Sequence, residues 1–225
     1  MMPFQKSHFV QIFTALILLL VFTLLYHETR TEVHTFDALS YTQDVESKPF
    51  IELYHPHHLL YGPVGRLTVN VAEMLGYEGR ADAPIQFLNA LAGAVGIMLM
   101  WRFGVRFTGH TWLPLSAAIL IGLCYAYWLY AIEVEVYTFA SMFILLCLWL
   151  MTYFEHSPNP QYAFWLGLAT AGAVMFHQTN IMFAIPVSLF LLFYARRLMV
   201  LYLLTVGLAV GIPYLLVGWV SGFRN

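Results

Sequence analysis

Charge is scarce in this 225-residue chain: ten Lys and Arg and twelve Asp and Glu make up 10% of it, against 60% hydrophobic residues. A soluble domain carries roughly a quarter charged residues, and the mean hydropathy here is +0.72. These values exclude an ordinary soluble domain and leave a multi-pass integral membrane protein folded as one helical domain over residues 1–225. The net charge of −2 offers no basic surface for nucleic acid. Cysteine is nearly absent, and Cys124 and Cys147 both fall in apolar stretches, where they read as small buried residues rather than a disulfide or metal pair. The chain also lacks a nucleotide-phosphate loop, a Ser-His-Asp signature and a Cys-x-x-Cys pair. No internal repeat is visible, which weakens an inverted-repeat transporter reading.

What is present is a series of apolar runs. Residues 9–26 follow Lys6 and lead into His27-Glu28-Thr29-Arg30 rather than a small-residue cleavage site, so they read as an uncleaved first span. Further spans are expected at residues 85–107, 113–132, 136–154, 162–176, 181–194 and 198–220, most of them near the roughly 20 residues that cross a bilayer core. The segment 59–75 differs. Leu60, Val64, Leu67, Val71 and Leu75 share one helical face, Arg66, Asn70 and Glu73 fall on another, and Pro63 stands near the start, a pattern that suits an amphipathic helix lying in the membrane interface. The expected fold is therefore all-α, with seven transmembrane helices and a long first extracytoplasmic loop, 27–84, carrying that helix. In this topology Arg102, Arg106, Arg196 and Arg197 share the side of Lys6, which makes the N-terminus cytoplasmic.

Nine of the twelve acids lie between Glu28 and Asp82, and Glu133 with Glu135 interrupts an apolar stretch. Charge in so apolar a sequence is expensive and calls for a function. The same topology places the first loop, the 133–137 turn and His177-Gln178-Thr179-Asn180 on the extracytoplasmic face. The spans on either side of His177 have only about 15 apolar residues each, roughly 22 Å of helix against a ~30 Å core, so that turn is expected to be sunken and to border a water-filled cavity.

Three segments carry a resemblance: Phe36-Asp37-Ala38-Leu39-Ser40-Tyr41, Tyr54-His55-Pro56-His57-His58-Leu59-Leu60-Tyr61 and Ile132-Glu133-Val134-Glu135-Val136-Tyr137. With the span layout they resemble the seven-span module of the type C membrane glycosyltransferases. The last two are similar to the His-Pro-rich loop and Glu-Val-Tyr turn of its protein O-mannosyltransferase-like branch, although His57 and His58 stand where Pro-Gly usually follows His-Pro. The resemblance implies a polyprenyl- or dolichyl-phosphate-linked sugar donor, a protein or lipid acceptor, and the first-loop acid Asp37 as a site residue. The absence of a nucleotide site fits a donor delivered from the bilayer. Relatives usually continue beyond the seventh span, so the chain is expected to be a fragment or a minimal module. The membrane is bacterial or archaeal, or the endoplasmic reticulum in a eukaryote.

Sugar transfer from a lipid phosphate needs a carboxylate to take the acceptor proton and donors to neutralise the leaving phosphate. Asp37 is the first choice of base, with Asp44 and Glu46 as substitutes, against the commoner fate of a solvated loop acid. Glu133 and Glu135 point about 200° apart if helical and so cannot face one pocket unless their turn is irregular. One of them binds acceptor or metal, or both mark the membrane boundary, where Tyr137 and neighbouring aromatics form a belt. A divalent metal, Mg or Mn, has Asp37 and Glu135 as its candidate ligands. His55, His57, His58, Tyr137 and His177 are candidate substrate contacts. Arg66 is the best single cation for phosphate, since its planar fork binds oxygens in pairs, its alternative being a side chain snorkelling to lipid headgroups. A channel, transporter or scaffolding protein is the other class, though the cytoplasmic halves of the spans hold few titratable groups for an ion path.

Overall fold

A computed structural model describes residues 8–154 and 158–221 of the chain, and Lys6 lies outside them. The described residues are helical: α1 (His8–Glu28), α2 (Phe36–Ser47), α3 (Tyr61–Met74), α4 (Asp82–Thr108), α5 (Trp112–Leu123), α6 (Tyr125–Ile132), α7 (Tyr137–Phe154), α8 (Pro160–Phe176), α9 (Ala184–Tyr194) and α10 (Arg196–Ser221), with 3-10 turns at Phe50–Leu53 and Gln178–Phe183. Where hydropathy suggested seven spans, four helices, α1, α4, α7 and α10, are by themselves long and apolar enough to cross a membrane. The pair α5 and α6 makes a fifth if it is one span bent by 62°. The run 113–132 is therefore not straight. At Cys124 the backbone is extended (φ −70°, ψ 143°), and Tyr26 from α1 donates its hydroxyl to the Gly122 carbonyl at 2.8 Å, satisfying an acceptor that the ended helix leaves open.

The bundle is built outward from α4, which packs against α1, α5 and α6 on one side and α7 on the other, with α8 and then α10 beyond α7. Small residues allow the close approach. A side chain on Gly172 of α8 would press into the Phe143 ring, its Cβ meeting the ring at 2.7 Å, and one on Gly167 would meet Thr205 of α10 at 2.7 Å. At the end of α4 opposite its start, the Arg102 guanidinium donates to Gln11 of α1 at 3.0 Å, and Arg106 stacks over Tyr153 of α7 at 3.7 Å.

The segment 27–84 is more ordered than a loop with one helix. Thr35 caps a second helix, α2, by accepting from the Ala38 amide, and Ala38, Thr42 and Val45 bury its inner face. This face joins Tyr61 and Val69 of α3, Ile85 of α4, and Val134, Val136 and Phe139 in one apolar cluster that seals the end of the bundle. In α3 the buried residues are Tyr61, Pro63, Gly65 and Val69, none of them on the apolar face read from the sequence, whose Leu67, Val71 and Leu75 stay exposed together with Met74.

Candidate active site

The acidic turn between α6 and α7 is irregular: Glu133 is extended (φ −113°, ψ 166°). An extended residue puts its neighbours where a helix would not, and both carboxylates meet the two residues that lead into α2. Glu133 is 1% exposed. Its Oε1 pairs with His34 Nδ1 at 2.8 Å and accepts from the Val134 amide, and its Oε2 accepts from the Thr35 amide at 3.3 Å. His34 in turn faces Asp82 at 3.5 Å, which pairs with Arg80 at 3.4 Å. A carboxylate so fully partnered is a structural anchor.

Glu135 is different. It is 4% exposed; Oε1 accepts from the Thr35 hydroxyl at 3.1 Å, and Oε2 has no hydrogen-bond partner among the described residues. Burial, opposed by the Thr35 hydrogen bond and reinforced by the negative charges of Asp37 and Glu133, pushes its carboxyl from 4.5 up to about 7.

The turn is held from behind by Asn89 of α4, fully buried. Its amide nitrogen donates to the carbonyls of both Glu133 and Glu135, at 2.6 and 2.7 Å, and its Oδ1 accepts from the Tyr61 hydroxyl at 3.3 Å. Gln86, one turn earlier, donates to the Thr31 and Ile132 carbonyls. Polar residues in an otherwise apolar span were the signal that would have found both. His34 and Thr35 carried no comparable sign in the sequence.

Asp37 is exposed in the first turn of α2, where the helix N-terminus favours a negative charge. It lines a cleft of about 230 Å³ with Ser40, Tyr41, Asp44, Leu53, His55, His58, Tyr61 and Gly62. Tyr41 stacks edge-on against both His58 and Tyr61, and burial together with the nearby charges of Asp37 and Glu135 raises its hydroxyl pKa. The cleft and the acidic turn are thus neighbours joined through Tyr41, Tyr61 and Thr35.

The histidines gather at the same end. His55, His57, His58 and His177 stack pairwise, with His58 and His177 at 5.1 Å between ring centres and Tyr137 against His177 at 5.2 Å. The His-Pro loop docks on the 177–180 turn: the Gln178 amide donates to the His57 carbonyl at 3.0 Å, the Gln178 side chain pairs with the His57 ring, and Tyr214 of α10 donates to the Pro56 carbonyl. Burial, with His177 next in effect, lowers His58 from 6.5 to about 4; His55 and His177 are also lowered, chiefly by burial. Burial thus favours the neutral imidazole at His55, His58 and His177.

Two expected residues do not join this site. Arg66 turns away, donating from Nε to the Val45 carbonyl at 2.6 Å and from Nη2 to the Lys48 carbonyl at 2.9 Å. It ties down the end of α2 and does not line the cleft. Glu46 accepts from the Ala81 amide at the start of α4. Among the described residues no three His, Cys, Asp or Glu side chains are grouped to hold an ion.

A model of the family described as dolichyl-phosphate-mannose-protein mannosyltransferase matches residues 62–219, more than half of the chain. The chain belongs to this family. No curated protein and no solved structure matches it. The mannosyltransferase-family match takes in Arg66, Asn89, Glu133, Glu135, Tyr137 and His177, whereas Asp37, His55, His57 and His58 precede its first matched residue. The site of this mannosyltransferase-like protein therefore draws on both parts of the chain: the acidic turn lies inside the matched region, and the cleft residues other than Gly62 precede it.

Proposed function

We propose that the protein is a membrane glycosyltransferase that moves a sugar from a polyprenyl- or dolichyl-phosphate donor to a hydroxyl of a protein or lipid acceptor at the extracytoplasmic face. The observation that carries this reading is the convergence of Asp37, the Glu133–Glu135 turn and the four histidines at one end of the bundle, together with the family match. Seven crossings, with α8 and the 178–194 segment as two short ones and α3 in the interface, give that end access to both lipid and water.

In this reaction the acceptor oxygen attacks the anomeric carbon as the bond from that carbon to the phosphate oxygen breaks. The departing lipid phosphate keeps the electron pair, and the acceptor proton passes to Asp37. The imidazoles at His55, His58 and His177 supply hydrogen bonds to the phosphate as its charge rises. Ionised Glu135 adds negative charge beside the site, favouring the positive charge that builds up at the anomeric carbon, and Asp37 is among the charges that raise the Glu135 carboxyl.

Two substitutions test this. Asp37→Asn keeps size and hydrogen bonding and removes basicity, so transfer from a polyprenyl-phosphate sugar falls by about 10² to 10⁴ in correctly inserted protein. Wild-type turnover in that variant moves the base to Asp44. The wild-type rate is expected to rise with pH through a midpoint near 7 as Glu135 ionises, and Glu135→Gln to remove the rise. A rate unchanged by that substitution across the range excludes Glu135 from the chemistry.

A further inference from the structure

We infer that Asn89 is a positioning residue for sugar transfer: its buried carboxamide fixes the acidic turn and so holds the Glu135 carboxylate against Thr35, behind the cleft wall. The inference deepens the proposed reaction and rests on it. One amide nitrogen holding two carbonyls two residues apart, at 2.6 and 2.7 Å, is a restraint on the backbone of the turn itself. An ideal helix at 133–135 would send the two side chains about 200° apart. The extended backbone that this clamp holds lets both approach the 34–35 segment, where Thr35 donates from its amide to Glu133 and from its hydroxyl to Glu135.

Each end of Asn89 leads to the cleft. The acceptor end takes the Tyr61 hydroxyl, and Tyr61 lines the cleft and packs on Tyr41. The donor end sets Glu135, one of whose oxygens is buried and free of partners. The α4 helix delivers the carboxamide rigidly, because Asn89 sits in the second turn of a 27-residue span packed against α1 and α7. The charged and titratable groups facing Glu135 are Asp37 and Tyr41 from α2, Tyr61 from α3, Tyr137 at the start of α7 and Glu133 on the turn itself. Asn89 touches Glu133 and Glu135 only through their carbonyls, so its influence on the carboxylates is geometric.

Asn89→Leu keeps the branched shape, suits the bilayer and removes both donors, and Asn89→Ser returns one short polar group. The variants are purified in detergent, their folded fraction is measured by thermal unfolding, and turnover per folded molecule is followed against pH with a polyprenyl-phosphate sugar. Asn89→Leu is expected to lower kcat by about 100-fold, the loss that a misplacement of about 1 Å brings, with the donor KM little changed. The pH midpoint is expected to fall below that of the wild type as Glu135 escapes its buried position, and Asn89→Ser to lie between the two. A merely structural residue would lower the yield of folded protein and leave kcat and midpoint per folded molecule unchanged, and that outcome overturns the inference. If Glu135→Gln alone turns over at the wild-type rate, the functional reading of the turn fails first. If Glu135→Gln is impaired and Asn89→Leu is not, the fault lies with Asn89.

Discussion

Glu135 is buried and His58 half-buried at the site, and desolvation drives their protonation in opposite directions. The His58 imidazole is lowered from 6.5 to about 4, so between those values the unfolded chain takes up a proton that the folded one refuses. Stability from this group is lost as pH falls through that window. Glu135 is raised from 4.5 to about 7, so the folded chain keeps a proton that the unfolded one releases, and stability is lost as pH rises from 4.5 to 7. The two trends partly cancel in the wild type. Glu135→Gln removes the second, so thermal unfolding of that variant in detergent should show stability falling more steeply toward acid, and gaining over the wild type at pH 8. Equal pH profiles in variant and wild type would mean that Glu135 is solvated. The glutamates themselves were conspicuous in the sequence as charges in an apolar run; the division between an anchored Glu133 and a free Glu135 was not, because it depends on partners about 100 residues away at His34 and Thr35.

At the scale of the element, legibility followed hydropathy. The long spans α1, α4, α7 and α10 were readable because uninterrupted apolar runs admit little else. The helix α2 was not, since its buried residues Ala38, Thr42 and Val45 are small or polar and its outer face is ordinary loop composition. The break at Cys124 was hidden for the converse reason: residues 113–132 are apolar on both sides of it, and the bend depends on a carbonyl taken by Tyr26 from another helix. The Arg66 contacts were not legible because a guanidinium fits a phosphate and a helix end equally well, and only the fold shows it on the Val45 and Lys48 carbonyls at the end of α2. Replacing it therefore tests an element, not a ligand. Arg66→Ala should cost about 2 kcal/mol of stability through lost charge-assisted hydrogen bonds and leave the donor KM unchanged. A large rise in donor KM with unchanged thermal stability would return Arg66 to the phosphate.

For the whole molecule, the decisive polarity is which end faces out. Arg102 and Arg106 of α4 lie at one end: Arg102 meets the start of α1 through Gln11, and Arg106 lies over Tyr153 at the end of α7. The acidic turn, α2 and the histidines lie at the other. Positive charge favours the cytoplasmic side, which supports the proposal of an outward-facing cleft that a lipid-linked donor would approach along α3, whose Leu67, Val71, Met74 and Leu75 are exposed and suited to the acyl boundary. The orientation is testable on intact cells in a background lacking Cys124 and Cys147. A cysteine at Glu78, exposed beyond the end of α3, should react with an impermeant thiol reagent, and one at Arg197 only after permeabilisation. Asn70→Cys, on the polar side of α3, should react like Glu78→Cys because an interfacial helix keeps that side wet. Labelling at Glu78 only after permeabilisation would put the cleft in the cytoplasm and exclude an extracytoplasmic acceptor. Protection of Asn70 with Glu78 labelled would bury α3 in the bilayer and remove the interfacial route for the donor.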